Sequence, residues 1–219
     1  MKKYVAEMIG TFAIVFCGTG AISIDAATNG NISHAGVALT WGLIVMTMIY
    51  TFGSNSGAHF NPAVSVAFAL TNRFPYRLLL PYIISQCAGA IAASALLRLL
   101  FPSDIFLGAS LPAGAAMQSF ILELILSFLL MLVILHVACG SKEEGLFSGI
   151  VIGGVVGLEA MFAGPVCGAS MNPARSLGPA LVSGHTEFLW LYWVAPLSGM
   201  ALAVPLFKFM KKEAILTQP

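Results

Sequence analysis

The sequence predicts an all-α membrane protein with six transmembrane helices and two re-entrant half-helices in an inverted 3+3 repeat. Three observations lead to this class: an apolar composition, six long apolar stretches, and a nine-residue pattern that occurs twice. Of the 219 residues, 58% are hydrophobic and 9% are charged, whereas soluble domains carry about 25% charged residues. The chain has too little polar surface for water, so the lipid bilayer is its expected solvent.

Six apolar stretches are long enough to cross a hydrocarbon core of about 30 Å. They cover residues 4–24, 35–52, 78–101, 117–138, 146–162 and 188–209. An even number of spans puts both termini on one side, and most basic residues fall in segments on that same side. These residues are Lys2, Lys3, Arg73, Arg77, Lys142, Lys208, Lys211 and Lys212. The positive-inside rule therefore predicts a multi-pass protein of the cell (plasma or inner) membrane with both termini cytoplasmic.

The repeated pattern reads Gly-Ala-His-Phe-Asn-Pro-Ala-Val-Ser at residues 57–65 and Gly-Ala-Ser-Met-Asn-Pro-Ala-Arg-Ser at residues 168–176. Six of its positions are identical at an offset of 111 residues, about half the chain. We therefore expect a single domain, residues 1–219, built from a first half, 1–112, and a second half, 113–219. Each half holds three spans, so the second half enters the membrane from the opposite side.

A short apolar run follows each Asn-Pro-Ala tripeptide, at residues 63–70 and 174–182, the second interrupted by Gly178-Pro179. Eight helical residues reach about 12 Å, too short to cross the bilayer. Both runs are too apolar for exposed loops, so they are predicted to be half-helices that meet tip to tip. Asn is a good N-cap and Pro a good first residue. The preceding pairs, Gly57-Ala58 and Gly168-Ala169, permit an extended backbone whose carbonyl groups could face a lumen.

Two acidic residues occupy equivalent places in the first helix of each half. Glu7 is followed four residues later by Thr11, and Glu123 by Ser127, which places each pair on one helix face. The carboxylates could form a proton relay, or they could accept hydrogen bonds from free N–H groups of the re-entrant loops. Their equivalence favours the second interpretation. Glu159 has no counterpart and is left unassigned.

The paired Asn-Pro-Ala loops, the inverted repeat and Arg175 directly after the second copy resemble the aquaporin or major intrinsic protein family over the whole chain. Residues 162–165 and 168–180 are most similar to the nodulin-26-like, aquaglyceroporin-type branch and its bacterial relatives. The resemblance implies an aquaporin-like homotetramer with a pore in each subunit and two narrow points. The pore constriction comprises Asn61, Pro62, Ala63, Asn172, Pro173 and Ala174. The outer selectivity filter comprises Trp41, Ala160, Ala169 and Arg175.

The filter departs from that of water-selective family members, which usually carry His at the place of Ala160 and Thr or Cys at the place of Ala169. Two alanines predict a wider and more apolar filter. Trp41 is expected in the outer half of the second helix, and Ala160 in the last outer turn of the fifth. The residues predicted to line the pore or brace its loops are Gly57, Ala58, His59, Gly168, Ser170, Glu7 and Glu123. For His59 this role is preferred to a pH gate, and His34, in a predicted outside loop, receives no role.

These features predict a passive channel for water and small uncharged solutes that excludes protons and ions. Candidate solutes are glycerol-type polyols, urea, and neutral metalloid hydroxides such as arsenous, boric or silicic acid. The positive ends of the half-helices oppose cations. Two alternatives stay open: a strictly water-selective aquaporin, and a secondary transporter, since inverted repeats also build those.

Other classes are not supported by the sequence. No His-Glu-x-x-His or Gly-x-Ser-x-Gly motif occurs, so an enzyme is not expected. Cys17, Cys87, Cys139 and Cys167 have no metal-ligand spacing, and no metal or cofactor is predicted. Ten basic and nine acidic residues offer no electrostatic footprint for nucleic acid.

Overall fold

The structure, a computed structural model, describes residues 1–138, 140 and 145–216, with side chains to residue 211. Cys139 and Lys142 therefore lie outside the described residues, as does the side chain of Lys212. The helices are α1 (Lys2–Ala27), α2 (Ser33–Ser56), α3 (Pro62–Leu70), α4 (Leu79–Leu100, preceded by the 3-10 turn Tyr76–Leu78), α5 (Ala116–Ala138), α6 (Ser148–Cys167), α7 (Pro173–Ser183) and α8 (Leu189–Leu216).

Within the described residues, six helices are long and apolar enough to cross a membrane: α1, α2, the segment Tyr76–Leu100, α5, α6 and the segment Leu189–Lys211. The described part of the chain contains no strand. The predicted all-α membrane class is therefore confirmed. The helices α3 and α7, with nine and eleven residues, extend only about 14 and 16 Å at 1.5 Å per residue.

The C-terminal end of α6 differs from the prediction. The expected span stopped at residue 162, but α6 continues through Pro165 to Cys167. Ala160 therefore lies about two turns before the helix end, and its predicted place in the last turn is wrong. A proline removes one backbone hydrogen bond, the one from its own nitrogen to the carbonyl four residues earlier, and the remaining bonds carry the helix onward. In the same way α7 continues without interruption through Gly178 and Pro179.

The helices pack with their backbones close together, and similar contacts occur in both halves of the chain. A Cβ added to Gly89 of α4 would collide with the carbonyl oxygen of Met8 in α1. One added to Gly199 of α8 would collide in the same way with Leu124 of α5. The first and third long helices of each half are thus in direct contact through a glycine.

Each short helix packs mainly against a helix of the opposite half: α3 lies against α8, and α7 lies against α4. Gly178 makes the second contact possible, because a Cβ there would lie 2.5 Å from the carbonyl oxygen of Ala90. The largest buried cluster includes Trp41, Phe60 and Met171 and extends over α5, α6 and α8. The N-terminal ends of both short helices are therefore enclosed at the centre of the bundle.

Candidate functional site

A cavity of about 480 Å³ lies between the long helices and passes the N-terminal ends of α3 and α7. Much of its lining is aliphatic and includes Ile14, Val45, Ile49, Val64, Leu130, Ile134, Ile152 and Val156. Polar groups in the lining come from Tyr50, Ser54, His59, Asn61, Ser148, Ser170, Asn172 and Arg175. The cavity thus has an extended apolar lining and a smaller number of hydrogen-bonding groups.

Both Asn-Pro-Ala tripeptides begin a helix in the way their residue types predict. The side-chain oxygen of Asn61 accepts the N–H of Ala63 at 2.9 Å. Asn172 likewise accepts from Ala174 at 3.0 Å and from Arg175 at 3.3 Å. Pro62 and Pro173 are the first helical residues, where the missing N–H has no intrahelical partner to lose. Each Asn is therefore an N-cap that holds its carboxamide at the tip of a short helix.

The two tips are joined by a reciprocal pair of hydrogen bonds. Asn61 Nδ2 donates to the carbonyl of Met171 at 2.7 Å, and Asn172 Nδ2 donates to the carbonyl of Phe60 at 2.9 Å. A carboxamide nitrogen carries two hydrogens, so each Asn retains one donor beside the cavity. The tripeptides predict that the tips meet, but they do not show that each tip binds the loop of the other.

The loops before the tips do not take the extended backbone that their Gly-Ala pairs permit. Positive φ values occur at Gly57, Ala58 and Phe60 (85°, 53° and 50°) and at Gly168, Ala169 and Met171 (82°, 41° and 52°). Left-handed residues curl the chain so that successive N–H groups turn toward one side. Ala, Phe and Met rarely adopt such angles without support, so neighbouring groups must hold the loops in place.

Glu7 supplies that support in the first half. Its carboxylate accepts four hydrogen bonds, from Ser56 Oγ (2.6 Å), His59 N (3.0 Å), Phe60 N (2.6 Å) and Gln86 Nε2 (2.8 Å). Glu123 accepts from Ser170 N at 2.7 Å and Met171 N at 2.8 Å in the second half. Both carboxylates are completely buried. These are the contacts that the loop-bracing interpretation requires.

His59 belongs to the same bracing arrangement. Its Nδ1 lies 3.0 Å from Ser65 Oγ, and its ring stacks on Phe68 with 4.8 Å between centroids. The rings of Phe74 and Tyr82 lie 4.8 and 5.3 Å from the same imidazole, and this apolar enclosure favours its neutral form. In the second half Ser170 takes the corresponding place and bonds Ser176. Gly57 and Ala58 line the cavity, whereas Gly168 lies near Ser110 and outside the lining.

Arg175 is 3% exposed and lines the cavity. Its Nη1 donates to the carbonyl of Gly108 at 3.0 Å and to Ser110 Oγ at 2.5 Å. Both acceptors lie in the loop between α4 and α5, which sequence reasoning did not connect to the site. The guanidinium carbon lies 4.6 Å from the ring centroid of Trp41, within cation–π range. Among the described residues, Nε and Nη2 have no acceptor, so these donors are available to a solute.

Trp41, Ala160 and Ala169 belong to one buried cluster, and each is 7% exposed. Trp41 and Ala169 line the cavity beside Arg175, whereas Ala160 lies outside its lining. The neighbouring Glu159 is 2% exposed, and its Oε2 has no partner among the described residues. We assign no role to Glu159.

Two short helices joined tip to tip inside six membrane-length helices, beside a cavity with sparse polar lining, define a membrane channel with re-entrant helices. Comparison with known proteins agrees with this class. Residues 1–207 match the family described as "Major intrinsic protein", and the chain therefore belongs to the major intrinsic protein family.

Individual relatives support the same assignment. Aquaporin NIP1-1 of Zea mays is 47% identical over 217 residues, which cover 97% of this chain and 77% of the relative. Nodulin-26 of Glycine max is 45% identical over 201 residues, covering 91% and 74%. The X-ray structure of the aquaglyceroporin from Plasmodium falciparum superposes with a TM-score of 0.83 at 26% identity, covering 95% of this chain and 98% of that one.

The predicted resemblance and channel class are confirmed. The protein is a channel for water and small neutral solutes. It is not an enzyme, and the alternative of a secondary transporter is removed.

Proposed function

We propose that this chain is an aquaglyceroporin-type channel that conducts water and glycerol-sized neutral solutes and excludes protons and ions. It works as a homotetramer in the cell membrane, with a pore in each subunit and both termini cytoplasmic. Its two inverted halves are residues 1–112 and 113–219. The distribution of Lys and Arg supports the orientation, because basic residues concentrate in cytoplasmic segments of such proteins.

The inner narrow point is the meeting place of the two tripeptides, Asn61 to Ala63 and Asn172 to Ala174. The cross-bonds between the tips leave one carboxamide hydrogen on each Asn for a passing hydroxyl group. Both helix N-termini lie at this point, and their partial positive charge repels protons and cations. A neutral solute exchanges hydrogen bonds with water for bonds to these donors. An ion loses more hydration free energy than these few groups can replace.

The outer narrow point is a filter of Trp41, Ala160, Ala169 and Arg175, in which Ala160 lies outside the cavity lining and contributes through the buried cluster that it shares with Trp41 and Ala169. One observation carries the proposed solute class: Arg175, with donors that have no acceptor among the described residues, lines a cavity whose lining is otherwise largely aliphatic, and Trp41 packs against its guanidinium. Glycerol has one hydroxylated edge and one carbon edge, and it can meet both kinds of lining at once. The small side chains of Ala160 and Ala169 leave room for a molecule wider than water.

Urea and neutral metalloid hydroxides share the properties that this site selects. They are small and uncharged, and they carry hydrogen-bonding groups on a compact frame. Boric acid is a convenient representative because it is neutral at pH 7. We therefore include these solutes in the proposed range.

Stopped-flow light scattering on proteoliposomes tests the proposal, with water, glycerol, urea and boric acid compared on one preparation. Glycerol flux is expected to exceed that of protein-free vesicles clearly, with urea and boric acid also entering. Sorbitol, which is longer, serves as the size control and should stay outside. Water flux without glycerol flux would favour the strictly water-selective alternative.

A further inference from the structure

The helices that carry Trp41 and Ala160 are joined along a seam of small residues. A Cβ added to Gly42 of α2 would lie 2.7 Å from the carbonyl oxygen of Gly153 in α6. One turn further out, a Cβ on Gly157 would lie 3.4 Å from the carbonyl of Ala38. Small residues at four-residue spacing let helix backbones meet directly in this way. The seam fixes the separation of the two helices in the middle of the bundle.

His34 and Met161 form the next contact of this seam, four residues further along each helix. His34 Nε2 lies 2.6 Å from the carbonyl oxygen of Met161. A carbonyl oxygen only accepts, so Nε2 carries the hydrogen in this contact. Gly164 leaves room for the imidazole, because a Cβ there would lie 3.3 Å from His34 Cε1.

The carbonyl of Met161 is free because of Pro165. In an α-helix this carbonyl accepts the N–H of the residue four positions later, and that residue is Pro165, which has no N–H. The imidazole of His34 thus occupies the place of the missing donor. Asp25 holds the backbone directly before His34 in place, because its Oδ1 accepts the N–H groups of Ile32 (2.9 Å) and Ser33 (2.8 Å).

We propose that His34 is a positioning residue for the outer filter: it replaces the hydrogen bond lost at Pro165 and fixes the end of α6 against α2. Met161 follows Ala160 in sequence, and His34 lies two turns from Trp41 on the same helix. The His34–Met161 bond therefore closes the end of the seam next to Ala160 and holds that end of α6 against the helix that carries Trp41. This role rests on the proposed function only where it concerns solute selection.

The structural part is tested by hydrogen–deuterium exchange of the full-length protein in lipid nanodiscs. In His34→Ala, the amides of residues 162–164 and 166–168 should exchange about three- to tenfold faster, the range expected for losing one hydrogen bond. His34→Gln keeps an N–H donor of similar reach and should restore slow exchange. His185→Ala is the matched control, since this histidine of the outer surface contacts Phe106 and Glu187 instead.

A double variant makes the test specific. Pro165→Ala supplies an N–H to the Met161 carbonyl within the helix, so adding His34→Ala to this background should not accelerate exchange further. If His34→Ala accelerates amide exchange equally in the wild-type and Pro165→Ala backgrounds, the proposal is overturned. If His34→Ala does not assemble alone, recovery of the double variant supports the role, and its continued failure contradicts it.

Permeability adds the functional readout on the same variants. His34→Ala should change the glycerol-to-water permeability ratio about twofold or more, and the change should vanish in the Pro165→Ala background. An altered exchange rate with an unchanged ratio would overturn the link to the filter. A wild-type protein that passes no glycerol would contradict the proposed function, while the exchange experiment would still decide the role of His34 at Met161.

Discussion

Arg175 is anchored through Nη1 and lines the cavity, and its other donors have no acceptor among the described residues. A fixed positive charge at the outer narrow point should repel cations and orient solute hydroxyl groups. We predict that Arg175→Val still passes neutral solutes but leaks more protons or cations. The leak should stay small, because the N-termini of α3 and α7 retain their positive potential.

Proton leak in vesicles, measured with an internal pH dye alongside solute flux, checks this prediction. Ser110→Ala is the matched control, because it removes one anchor of Arg175 but keeps the charge. No added leak in Arg175→Val would mean that the helix tips alone exclude charge. A variant that does not assemble would assign Arg175 a structural role.

Ala160 is buried in the same cluster as Trp41 and Ala169. We predict that Ala160→His lowers the glycerol-to-water permeability ratio, since an imidazole adds bulk and a polar group beside the filter. Ala160→Leu separates the two effects, because it adds bulk without polarity. Stopped-flow measurement on both variants gives the ratio, and an unchanged ratio in a well-expressed Ala160→His would remove Ala160 from the filter.

The His59 ring is enclosed by the aromatic rings of Phe68, Phe74 and Tyr82. An apolar enclosure of this kind disfavours the charged imidazolium. We predict that water permeability is constant between about pH 5.5 and 8. A titration of permeability with a midpoint inside this range would show that His59 or another group gates the pore.

Sequence reasoning identified Asn61, Asn172 and Arg175 because their chemistry is visible in a local motif. It missed Ser110, Gly108, Gln86 and His34. Each of these contacts a group far away in the sequence, and only the packing of the helices reveals the partner. The two asparagines were expected to meet, but their bonds to Met171 and Phe60 depend on the left-handed loops that the sequence did not predict.

At the scale of secondary structure, helix existence followed from length and composition, while helix ends did not. The two short helices were predicted because eight or nine apolar residues cannot cross a bilayer. The end of α6 was missed because the predicted span covered only the apolar stretch to residue 162, whereas the helix continues through Gly164 and Pro165. His34 of α2 supplies the hydrogen-bond donor that Pro165 lacks, and no sequence pattern within α6 predicts this contact.

The two re-entrant loops are braced unequally: Glu7 accepts four hydrogen bonds and Glu123 two. An amide at either position offers one acceptor oxygen and adds an N–H donor among existing donors. We predict that Glu7→Gln lowers the free energy of unfolding more than Glu123→Gln, by about 1–3 kcal/mol. Denaturation in detergent on both variants checks this order, and a larger loss for Glu123→Gln would contradict it.

At the scale of the whole molecule, large apolar side chains such as Leu39, Leu43 and Leu99 are exposed. A bilayer covers such surfaces, and contacts with neighbouring subunits can cover part of them. The resemblance to the family predicts a homotetramer. Native mass spectrometry from nanodiscs should give four times the subunit mass of 23.0 kDa, whereas a stable monomer at all detergent concentrations would contradict the prediction.

The central claim is that the pore takes glycerol-sized solutes because Ala160 and Ala169 leave its outer filter wide and apolar. The most direct measurement is the glycerol and water permeability of proteoliposomes that contain the wild-type protein or the double variant Ala160→His/Ala169→Thr. We predict that the wild-type protein conducts both solutes and that the double variant keeps water flux but loses most glycerol flux. A wild-type channel that conducts water alone, or a double variant with undiminished glycerol flux, would contradict the account.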